Sequence, residues 1–170
     1  MALIGYANKL ISDIKSVLLQ NENIVKFLYY TDSDEDIQTL PPVKNPISTL
    51  KNKVFLNRRL EILQKDADVG MTINLYSKQQ WKKYGTKSDT NLKNVIEVGI
   101  ISHMNIDETL NGSRTNVLIE EVLATLRQDV VDGLGDIHFI NMFMMKDLSI
   151  EYVGYLLYFE IFNIREEGLC

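Results

Sequence analysis

From Tyr152 to Ile164 the chain reads YVGYLLYFEIFNI, a run so rich in aromatic and branched residues that extended backbone is expected. Successive side chains of a strand point to opposite faces. Tyr155, Leu157, Phe159 and Ile161 therefore fall on one face, and Leu156, Tyr158, Glu160, Phe162 and Ile164 on the other. The first set suits a core. The second is too apolar for water, yet Glu160 and the tyrosine hydroxyl make it a poor interior. Tyrosine, phenylalanine and isolated charges are what protein interfaces collect, so Tyr158, Glu160 and Phe162 are expected to meet another protein. The competing expectation is a central strand covered by the chain's own loops, such as Pro41 to Ile47. In the preceding FINMFMMK segment Met142, Phe143, Met144 and Met145 also leave both faces apolar, which adds Met142 and Met144 to the expected interface.

The rest of the chain supplies elements to pack on that strand. Leu3, Ala7, Leu10, Ile11, Ile14, Val17 and Leu18 recur at helical spacing, predicting an amphipathic N-terminal helix. Asn21 or Asn23 then caps a second short helix carrying Ile24, Val25 and Leu28. Residues 32–53 contain Asp32, Asp34, Glu35, Asp36 and all three prolines, and read as a long loop or arm. The spaced aspartates resemble the start of a calcium loop, but its glycine and closing glutamate are absent. KVFLNRRLEIL is compatible with a strand or a short helix. In MTINLYS, Met71, Ile73 and Leu75 alternate with Thr72, Asn74 and Tyr76 as in a half-buried strand. NVIEVGIISHM is a second such strand. Residues 77–94 are polar and read as another long loop. Lys78, Trp81, Lys82, Lys83 and Tyr84 in it suit docking on a partner, and interleaved lysines and aromatics also suit nucleic acid. Asn111-Gly112 turns the chain into a helix capped by Ser113 or Thr115, with Val117, Leu118, Val122, Leu123 and Leu126 as its buried stripe. The order of elements predicts one α+β domain over residues 1–170. Its sheet is antiparallel or mixed, with two main amphipathic helices on one face.

Several function classes lose support. The chain has no glycine-rich phosphate loop, zinc helix or nucleophile elbow, so no catalytic residue, metal or cofactor is expected. His103 and His138 read as polar positions in strands, and the single cysteine, Cys170, has no base at a recognisable spacing. A net charge of −5 argues against tight wrapping on nucleic acid, which needs a basic excess. The N-terminal run is interrupted by Lys9, Asp13 and Lys15, unlike a secretory signal, and no apolar run suits a membrane span; synthesis in the cytoplasm is expected.

The order of these segments resembles a known family. VLLQNENIVKFL ends the first helix, a proline-containing loop follows, and then MTINLYS, VIEVGIISH, NVLIEEVLATLRQD, GLGDIHFINM and YVGYLLYFEIFNI. This pattern is similar to the tail terminator, or tail completion and neck, proteins of tailed bacteriophages. The resemblance implies a virion protein assembled in the host cytoplasm. It implies a homo-oligomeric ring, a hexamer, that caps the tail tube protein and joins it to the head connector or stopper, with DNA passing through the lumen. Another head–tail connector or an injection-tube cap is the nearest alternative. A nucleic-acid-binding accessory protein using Lys78, Lys82, Lys83 and Lys87 with Trp81 is a further one, as is an enzyme whose site has no recognisable motif.

Overall fold

In the computed structural model, which describes residues 2–31, 35–57, 68–77, 93–127, 136–146 and 148–162, the N-terminal stripe forms helix α1, Ala2–Leu18. Leu10, Ile11, Ile14 and Leu18 are buried along it, while Lys9 and Ser12 face water. Asn21 ends the turn after α1 and accepts from the backbone N–H groups of Asn23 and Ile24, which makes it the cap of α2, Glu22–Tyr29. Its amide donates to Glu121 and Thr125, and Asn23 donates to Glu121 as well, so this cap also ties α2 to a later helix.

The acidic, proline-bearing segment is more structured than a loop or arm. Asp36 caps a 3-10 turn at Ile37–Thr39, and Pro46 opens a short helix α3, Pro46–Thr49, at the one helical position where a missing N–H is harmless. Ile37 and Leu50 are fully buried, so two apolar anchors hold the segment against the core. Asp32 and Asp34 lie outside the described residues.

Strands β1 (Val54–Leu56), β2 (Val69–Ser77) and β3 (Lys93–His103) come next. A short helix α4 (Met104–Asp107) and a hairpin of β4 (Glu108–Thr109) and β5 (Gly112–Ser113) lead into α5, Arg114–Leu126. Strands β6 (Asp136–Met144) and β7 (Tyr152–Phe162) finish the described chain. The fold is α+β. Its five-stranded sheet runs β1-β2-β3-β7-β6, with β1 parallel to β2 and every other pair antiparallel. KVFLNRRLEIL thus contributes the three-residue strand β1, and its residues 58–63 lie outside the described part.

Helices α1 and α5 pack on β2 and β3. Register explains why this face is so apolar. Met71 pairs with Ile100, Ile73 and Leu157 flank Val98, and Phe159 pairs with Ile96, all of them fully buried. Leu118, Val122 and Leu126 of α5 close over them. Ser113 is the side chain that caps α5, through Asn116 N–H. Arg114 is also buried: Nη1 donates to the carbonyls of Phe27 and Tyr30, and Nε to Ile106 at 2.8 Å. A cation there satisfies the unpaired carbonyls at the end of α2.

Candidate functional site

Strand β7 lies between β3 and β6, so both its faces matter, as its sequence requires. Leu157, Phe159 and Ile161 are fully buried on the helix side, and Tyr155 packs against the same core. The opposite face is divided along its length. At one end Ile101 is buried beneath Phe55, Met145, Leu148, Tyr152 and Leu156. Gly154 allows this: a Cβ there would lie 2.7 Å from Leu148 Cδ1 and 2.9 Å from the Ile100 carbonyl. Part of the cover on the second face is therefore the chain's own. It comes from the β6–β7 connection and not from Pro41 to Ile47.

The middle of that face is polar. Glu97 of β3, only 5% exposed, accepts from Asn74 Nδ2 at 2.9 Å and from Tyr158 Oη at 2.7 Å. The three residues are neighbours across β2, β3 and β7, since Glu97 is paired with both others. Hydrogen bonds of this kind are what keep a buried carboxylate tolerable. Elsewhere on β2, Thr72 is fully buried opposite Gly99, and its hydroxyl has no hydrogen-bond partner among the described residues. Alternation alone would have left Thr72 half exposed.

Beyond this polar centre lies β6, which among the described strands is an edge strand paired with β7. Its two halves differ. Ile137 and Phe139 pack against the core, with Phe139 on Phe159 and under the Arg127 guanidinium. A bulge between Phe139 and Asn141 then shifts the register. Past it, Met142 pairs with Leu157 and Met144 with Tyr155, while Phe143 packs edge-on against Tyr158. The helices do not reach this half: Ile140, Met142, Phe143 and Met144 are 51%, 41%, 53% and 61% exposed. An exposed apolar strand at the edge of the described sheet is the kind of surface a folded protein ordinarily blunts or hides.

Of the residues expected at an interface, Met142 and Met144 lie on this exposed strand, and Tyr158 and Glu160 belong to its neighbour β7. Glu160 is half-buried, and Tyr158 is already engaged through its hydroxyl. Phe162 closes β7, with its side chain outside the described part, as are Lys78, Trp81, Lys82, Lys83 and Tyr84 entirely. Cys170 lies there too. Phe143, which the sequence places in the same two-faced apolar run, is exposed beside Met142 and Met144, whereas Ile140 is not singled out by sequence alone. Glu97 gives no signal in the sequence, since its partners come from two other strands.

The remaining polar clusters are structural. Asp107 accepts from Ser113 Oγ, Thr115 N–H and Thr115 Oγ1, locking the 108–113 hairpin onto α5. At the hairpin tip Gly112 takes φ +102°, and Asn111 bridges to Asp36 and Ile37. An open groove of ≈ 440 Å³ between Met104, Glu108 and Val153 lies beside it. His103 accepts from Asn105 N–H through Nδ1, which caps α4. Burial, with Asp68 and Glu151 nearby, raises the Tyr152 hydroxyl above its ordinary pKa, and burial lowers that of Lys15. Among the described residues no group of three or more His, Cys, Asp or Glu side chains is placed to hold a metal ion, and no helix is long and apolar enough to cross a membrane.

No curated protein matches the chain. A family model, YomW, matches residues 21–161, from the cap of α2 to the buried end of β7, and that family is phage-derived, of the SPbeta-like prophage kind. The match spans the five-stranded sheet with its edge strand and the helices α2 to α5, leaving out α1, and the chain belongs to the YomW family.

Proposed function

We propose that the protein is a structural component of a phage particle, a ring-forming subunit of the tail terminator or neck type. In this reading it caps the tail tube and joins it to the head connector, and viral DNA passes through the lumen. The observation that carries the proposal is the exposed half of β6. Its methionines and Phe143 lie on an open sheet edge, in a chain from a phage-derived family. A ring of identical subunits needs one patch that binds a different patch on the next copy, and a long apolar edge supplies the first. The reading uses no catalytic group, metal or cofactor. A net charge of −5 suits a conduit that lets DNA slide.

The test is the mass of the purified chain in solution, alone and with tail tubes, together with negative-stain imaging. A ring with a central hole is expected. A strict monomer that ignores tubes removes the proposal, and salt-sensitive DNA binding by such a monomer would favour an accessory protein.

A further inference from the structure

If the subunit forms a ring, the β6 edge needs a receptor on the next copy, and the structure offers a specific one. We infer that β6 docks on the corner formed by α3 and β1 of a second copy, residues 44–57. The inference rests on the ring reading.

Three observations carry it. First, β1 and β6 are the two edges of the same sheet, so a contact from one to the other is head-to-tail and repeats from copy to copy. Second, the two edges are unequal in a complementary way. β6 is long with an apolar outer half. β1 is three residues, ended by Asn57 at φ 53°, and beside it Ile47 of α3 is 57% exposed above a buried Leu50. Among the described residues β1 pairs with β2 only from Met71 to Ile73, so it is much the shorter of the two edges. Third, the charges are opposed. From residue 40 to 57 the chain carries Lys44, Lys51 and Lys53 and no acid. From 136 to 162 it carries Asp136, Asp147, Glu151 and Glu160 against Lys146 alone. Lys44, Lys51, Asp136 and Glu151 are all exposed. In a chain that is acidic overall, a basic corner opposite an acidic edge favours one orientation of two copies and penalises edge-to-edge pairing of like ends.

The experiment uses the full chain with Cys170→Ser as background. Ile47→Cys and Phe143→Cys are made singly and together, and treated with a short thiol crosslinker. The double variant is expected to give a ladder of trimers and larger species, with each single variant uncrosslinked. In parallel, Lys44→Glu with Lys51→Glu should weaken association at least tenfold, with recovery on adding Asp136→Lys. Crosslinked dimers from Phe143→Cys alone would mean that two β6 edges meet, and would overturn the inference. So would rings that persist with no ladder and no effect of charge reversal, although the ring reading would then stand. A wild-type chain that is a monomer removes both.

Discussion

The two faces of the central sheet are built from the same strands and obey different rules. On the helix side, Met71, Ile73, Ile96, Val98, Ile100, Leu157 and Phe159 form a continuous apolar layer with no exposed member. On the other side a small apolar cluster around Ile101, a hydrogen-bonded carboxylate at Glu97 and a half-exposed aromatic pair at Phe143 and Tyr158 succeed one another. The first face is specified by volume. The second is specified by partners, each contact depending on one particular atom being opposite another.

That contrast can be broken at defined points. Phe159→Ala should cost about 3–5 kcal/mol in denaturant unfolding, because it opens a cavity in the helix-side layer. Phe143→Ser, on the other face, should stay within about 0.5 kcal/mol while altering assembly. A Phe159→Ala cost below that of Phe143→Ser would invert the comparison. Gly154→Ala should cost about 1–3 kcal/mol, since the new methyl meets a backbone carbonyl as well as Leu148 and Ile101. Relief of that cost by Leu148→Ala would confirm that the turn presses on the strand. Glu97→Leu strands the Tyr158 hydroxyl and the Asn74 amide and should cost about 1–3 kcal/mol, with Glu97→Gln less harmful because one acceptor remains. Equal losses in the two variants would mean that shape and not hydrogen bonding holds the site. Thr72→Val should stabilise by about 1 kcal/mol, since it replaces a buried hydroxyl with no partner among the described residues by a methyl of similar size. A loss of stability there would show that the hydroxyl is satisfied in solution.

The smallest effect concerns pH. Tyr152 has a raised pKa through burial and the nearby Asp68 and Glu151 carboxylates. Its contribution to stability is therefore fully present below the unfolded tyrosine value and is lost as pH rises through the higher folded value. An ultraviolet titration should show a late-ionising contribution that is lost in Tyr152→Phe. An unchanged titration curve in Tyr152→Phe, apart from the loss of one group at the ordinary tyrosine value, would contradict it.

Much of the fold is legible in the residues themselves. The stripe from Leu10 to Leu18, the Asn111-Gly112 turn and the core parity of Leu157, Phe159 and Ile161 are local patterns. A helix repeats at 3.6 residues, a strand at two, and a turn needs particular dihedrals, all of which neighbours in sequence disclose. The acidic-proline segment reads as looser than it is, because Ile37 and Leu50 gain their anchoring from residues far along the chain. The same limit applies to Glu97, whose neighbours Asn74 and Tyr158 are brought together only by strand pairing. Alternation by itself therefore determined that β7 has two apolar faces. Only the tertiary structure decided what lies on each: helices on one, and on the other Leu148, a buried carboxylate and an edge strand that the helices do not reach. The physical reason is range, since periodicity is a property of adjacent residues, whereas cover depends on which distant segments the sheet order brings alongside.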